Sequence, residues 1–158
     1  MCSCCGNHRA ELPMSYSTIA PDAWESDPNS MLFSDQCVIE GQRFFIRGPI
    51  EIPVIGSEDV FSWGVWVSLS KENFAGALDV WNTEGWEAEK PYFGWLSTEL
   101  ALSSESTTSL KTSAHTRPGG ERPFIELEPT DHPLAVEQRA GITQDRIREI
   151  AIAVLHPA

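Results

Sequence analysis

The sequence predicts an α+β fold, an antiparallel sheet of about five to seven strands with one mid-chain helix and two C-terminal helices packed on it. Three observations carry this reading. Period-2 segments joined by short turns dominate residues 36–128, a single helical stripe interrupts them, and two capped helical segments close the chain. Strands followed by helices, without strand–helix alternation, place the helices on an antiparallel sheet rather than in a doubly wound parallel one.

Residues 1–35 read as an irregular arm with a cysteine-rich start, because Pro13, Pro21 and Pro28 mix with serines and acids without a period. At most a short helix is expected, at residues 22–26. From Cys37 the pattern changes to Cys-Val-Ile-Glu, then Gly41-Gln42, then Arg43-Phe-Phe-Ile-Arg47. Glycine at the first turn position suits a two-residue type II′ hairpin between two strands. Residues 50–55 extend this as a third strand or sheet edge, since Pro49 and Pro53 cannot donate ladder hydrogen bonds.

Phe61, Trp63, Val65, Val67 and Leu69 alternate with Ser62, Gly64, Trp66 and Ser68, the period of a central strand. Ser70 then caps a helix ending near Asn82, in which Phe74, Ala77, Leu78 and Trp81 form one apolar stripe. Further strands are expected at residues 92–100, 110–116 and 124–128, separated by the Ser/Thr-rich stretch 103–109 and by the turn 117–122. Asp131 or Thr130 caps a short helix that stops at Gly141. Thr143 caps the last one, with Ile147, Ile150, Ala151, Val154 and Leu155 on one face.

One domain of 158 residues, with residues 36–158 as its core, is long enough to fold without a disulfide scaffold. Eleven Lys and Arg against 23 Asp and Glu give a net charge of −12, which repels a phosphate backbone and argues against nucleic acid as a partner. No stretch approaches the roughly 20 apolar residues of a membrane span. The start, MCSCCGNHRAEL, lacks the apolar run of a signal peptide, so a cytoplasmic location is expected.

Taken together, Cys2, Cys5-Gly6 and His8, then DQCVIEGQRFFIRGPIEIPV, FSWGVWVSLSKENF, PYFGWLS and LKTSAHTRPGGERPFIELEPTDHPLAVEQRAGIT resemble the bacterial family called domain of unknown function 2199. The resemblance runs from Cys2 to Leu155. It implies a small single-domain bacterial protein, without an activity, substrate or catalytic residue to carry over.

Chemistry is therefore weighed residue by residue. Cys2 and Cys5 are spaced to reach one ion across a tight turn, and His8 follows three residues later, so zinc is the cofactor this cluster points to, with Cys37 as the fourth ligand. The competing readings are a reduced cysteine-rich terminus and a Cys37 that is simply buried on its strand. His115, Arg117 and Arg122 around Gly119-Gly120 read as an anion or carboxylate site, or as ordinary cross-strand ion pairing on a solvated face. Trp66 faces away from the Phe61/Trp63/Val65 stripe, so it is either covered by a helix or exposed as an anchor for a partner. Trp95 beside Gly94 joins it as a binding residue. Asp131 and His132 read as capping residues before acid–base ones, and no P-loop, dinucleotide fingerprint, zincin motif or nucleophile elbow occurs. The function these features favour is a noncatalytic protein-interaction domain. The alternative is a zinc-binding protein, with the metal structural or serving an enzyme or sensor.

Overall fold

The computed structural model describes residues 12–81, 91–100, 105–117 and 122–155. In chain order the elements are β1 (Ser15–Ser17), β2 (Met31–Leu32), β3 (Gln36–Ile39), β4 (Arg43–Pro53), β5 (Val60–Leu69), α1 (Lys71–Trp81), β6 (Tyr92–Leu96), β7 (Lys111–His115), β8 (Phe124–Leu127), α2 (Pro133–Ala140) and α3 (Gln144–Leu155). The fold is α+β, as the strand-then-helix order implies.

The strands form one sheet in the order β2-β3-β4-β5-β6-β7-β8, antiparallel throughout, and β1 adds to β5 in parallel. Both β1 and β6 fit on one edge of β5 because each takes a different part of it: β6 pairs Val67–Leu69 and β1 pairs Ser62–Gly64. Between them, the Thr98 hydroxyl accepts the Trp66 N–H at 2.9 Å and Ser97 N–H donates to the Trp66 carbonyl at 2.8 Å, so the gap leaves no orphan backbone group. The far strand β8 curls back against β4 so closely that a Cβ on Gly48 would strike the Pro123 carbonyl oxygen.

Alternation along β4 and β5 sorts side chains onto two faces. The inner face carries Ile46, Ile50 and Ile52 with Phe61, Trp63, Val65, Val67 and Leu69. Phe74 and Ala77 of α1, Leu134 and Ala135 of α2, and Ile147 and Ile150 of α3 cover it. The Ser70 hydroxyl caps α1 by accepting the Asn73 N–H at 3.0 Å, and Thr143 caps α3 through Arg146 N–H at 3.0 Å.

Four local expectations are corrected. The arm forms no helix over its described residues; two of its segments extend and pair as β1 and β2, because β5 and β3 offer them unpaired edges. The β3–β4 turn centres on Glu40 (φ 52°) and Gly41 (φ 64°), with Gln42 N–H closing on Ile39 O at 3.0 Å. Two left-handed residues are the type I′ signature, whose twist matches the strands, so the turn sits one residue earlier than a type II′ turn on Gly41. Residues 50–53 continue β4 as one central strand. Arg47 N–H points away from β5, to Asp35 O at 2.9 Å, and by alternation the nitrogens of Pro49 and Pro53 point the same way, beyond the end of β3. The prolines therefore cost the β4–β5 ladder nothing. Finally, His132 rather than Asp131 or Thr130 caps α2: its Nδ1 accepts Leu134 N–H at 3.0 Å, and its Nε2 then donates to Ser106 O at 2.8 Å. Pro133 supplies no donor at the first helical position, so the cap serves the next N–H.

Candidate functional site

The outer face of the sheet holds two unlike regions. In the first, Cys37, Ile39, Phe45 and Trp66 form a small second core under Ala23, Trp24 and Leu32 of the arm. Trp66 is 0% exposed, and its indole N–H donates to Thr18 O at 3.1 Å. The arm, not a helix, covers it. Cys37 is likewise 0% exposed, and burial pushes its thiol pKa up.

Next to this cluster the same face opens into a groove of about 330 Å³. Strand register builds it. Across the β4–β5 ladder Arg47 faces Trp66, Pro49 faces Gly64, and Glu51 faces Ser62, while β1 sets Ser17 beside Gly64 and Ser15 beside Ser62. Gly64 and Pro49 present little side chain, so the strands leave a recess between Arg47 and the three serines. Arg117, just after β7, and Arg122, just before β8, complete the wall because β8 lies against β4.

Three guanidinium groups thus line one recess, in three different states. Arg122 Nε donates to Asp35 Oδ1 at 2.6 Å, and Arg117 Nη2 donates to Glu51 Oε1 at 2.9 Å. Arg47 has no carboxylate within ion-pair distance among the described residues; it donates to Ser34 O at 3.1 Å and to Ser17 Oγ at 2.9 Å. Its Nε is buried without an acceptor among the described residues. Burial first, and the neighbouring Arg122 second, hold its pKa below the ordinary arginine value, against the opposing pull of Asp35.

Of the residues singled out in the sequence, Arg117 and Arg122 meet in this groove. His115 does not line it: its Nε2 pairs with Glu126 Oε1 at 2.9 Å, and its ring packs on Phe124, 5.6 Å between centroids. Trp95 stands further along the outer face, 43% exposed, edge-on to Phe93 at 5.0 Å, with Phe93 46% exposed. Cys2, Cys5 and His8 lie outside the described residues, as do Gly119 and Gly120. Among the described residues no three His, Cys, Asp or Glu side chains are grouped to hold a metal ion. Arg47, Ser15, Ser17 and Ser62 are groove residues that sequence reasoning missed. The signal for Arg47 was its place on the polar face of β4, opposite Ile46 and Ile50.

Chemically the groove is equipped to bind. Guanidinium groups present planar N–H donors that match carboxylate or phosphate oxygens in paired hydrogen bonds. The serines are held by each other and by Arg47, with Ser62 Oγ 3.1 Å from Ser15 Oγ.

The family model for uncharacterized proteins conserved in bacteria, DUF2199, matches residues 1–142. The chain belongs to DUF2199. No curated protein and no solved structure matches it. Every groove residue of this DUF2199 chain, from Ser15 to Arg122, falls inside the matched span, whereas α3 lies beyond it. Among the described residues no helix is long and apolar enough to cross a membrane.

Proposed function

We propose that this DUF2199 protein is a noncatalytic cytoplasmic interaction domain that holds an anionic group of a protein partner in the arginine groove. The observation that carries the reading is the convergence of Arg47, Arg117 and Arg122 on one recess of a chain whose net charge is −12. A cationic recess on an acidic protein focuses an anion at that point while the surrounding field repels anions elsewhere, which confers specificity of placement. The exposed Phe93–Trp95 pair, further along the same sheet face, offers a separate apolar contact area.

The test is capture of a partner on the full chain, followed by titration of the purified pair. Saturable binding that weakens in the double variant Arg117→Gln/Arg122→Gln is expected. Binding of equal affinity in wild type and double variant would sink the proposal.

A second reading rests on the spacing of Cys2, Cys5 and His8, which suits a zinc ion with a structural role or a place in an enzyme or sensor. Cys37, the fourth ligand in that scheme, lies among Ile39, Phe45 and Trp66, an apolar setting that favours a thiol over a thiolate.

A further inference from the structure

We infer that the groove takes a single carboxylate, a monoanion rather than a phosphate. This inference rests on the reading of the groove as a binding site and adds the chemical class of the group it receives. Three arginines line the recess, and two of them are already paired, Arg117 with Glu51 and Arg122 with Asp35. Among the described residues one positive charge, that of Arg47, is left without a carboxylate at ion-pair distance. Counted over those residues, the groove lacks one negative charge.

A phosphate monoester carries about 1.5 to 2 negative charges at neutral pH, which exceeds that deficit. The chain as a whole, at −12, repels a dianion about twice as strongly as a monoanion at equal distance. A carboxylate cancels the deficit without excess.

Hydrogen bonding agrees with the charge count. Arg47 makes two directed bonds, one from each terminal nitrogen and both to neutral oxygens, which leaves a second N–H on each of those nitrogens for a ligand. Arg117 spends Nη2 on Glu51. Planar guanidinium edges fit a planar carboxylate with two parallel bonds. Burial and the proximity of Arg122 both disfavour the charge on Arg47, so an anion beside it relieves an existing electrostatic cost. At about 330 Å³ the recess sits at the lower bound of small-ligand sites, room for one acid group and a short body. That acid is either a free small carboxylic acid or the carboxyl terminus of a partner chain.

The experiment is side-chain NMR of the arginine Nε–H groups, with full-length protein titrated with sodium acetate or inorganic phosphate at constant ionic strength. N-acetyl-dialanine and its amide form a second arm. Acetate is expected to shift the Arg47 and Arg117 signals saturably, phosphate to give no saturable shift, and Arg117→Gln to weaken acetate about tenfold, the worth of one charge-assisted bond. Arg122→Gln, more exposed, is the second variant and should weaken acetate in the same direction. Dialanine acid binding more tightly than acetate, with the amide silent, identifies a chain terminus; equal binding of the two acids identifies a free acid. Saturable phosphate binding at least as tight as acetate overturns the carboxylate inference and leaves the anion groove standing. No saturable shift with either anion overturns both. Acetate binding unchanged in both variants places the acid elsewhere and overturns the inference.

Discussion

The guanidinium carbon of Arg47 lies 5.8 Å from the centroid of the Trp66 ring, its direct partner across the β4–β5 ladder. Trp66 is the point where the buried half of the outer face meets the groove. One side of the indole is held down by the arm, and the ring forms a surface on which the least compensated cation of the groove rests. Trp66, which the sequence leaves open between a position covered by a helix and an exposed partner anchor, thereby acts as support for a binding residue.

Trp66→Ala should lower the unfolding free energy by about 3–5 kcal/mol, the usual cost of emptying a large buried aromatic site. Urea titration measures it. Trp66→Phe, which keeps a ring under Arg47, should lose less; equal losses for the two variants would show that the ring itself matters little.

Gly64→Ala should destabilise by about 1–3 kcal/mol, as overpacking does. A Cβ there would lie 2.5 Å from Ser17 Cβ and 3.3 Å from its Cα, so β1 must shift away from β5. The check is the urea midpoint, together with faster proteolysis in the arm.

His132→Ala should cost about 1 kcal/mol through the lost α2 cap, and His132→Asn should recover most of it, because asparagine is a good N-cap acceptor. If both variants lose the same amount, the bond from His132 Nε2 to Ser106 O, not the cap, holds the loop.

Glu99 supplies a pH-dependent term. Its carboxylate accepts Ser106 Oγ–H at 2.6 Å, Thr107 N–H at 2.8 Å and Thr108 Oγ1–H at 3.2 Å, and these bonds, the one from Ser106 foremost, hold its pKa below the usual glutamate range. A depressed carboxyl contributes stability that is present above its unfolded-state pKa and lost as pH falls through the folded one. Glu99 is exposed, so solvent screening keeps the effect small. The stability gap between wild type and Glu99→Gln should shrink as pH drops from neutral to below the glutamate range; a constant gap would remove this account.

Zinc bound through Cys2, Cys5 and His8 would give about one equivalent by elemental analysis of untagged protein, and chelation would then lower its stability. Less than about one-tenth of an equivalent removes the zinc reading.

The period-2 alternation of residues 61–69, the stripe of Phe74, Ala77 and Leu78, and the caps Ser70 and Thr143 were legible because each is a local matter of side-chain spacing and nearby hydrogen bonds. Arg117 and Arg122 were legible as charged residues flanking a turn. The sequence alone thus determined the α+β class, most of the strands and the three helices.

The tertiary structure decided which of those residues share a surface. Ser15 meets Ser62 across 47 residues, Arg122 reaches Asp35 across 87, and the arm closes over Trp66 because β1 finds a free stretch of β5. Periodicity reports which face of its own strand a side chain occupies, but not which distant segment pairs with that strand. Arg47 therefore became a groove residue only when β1, β5 and the returning β8 were placed around it.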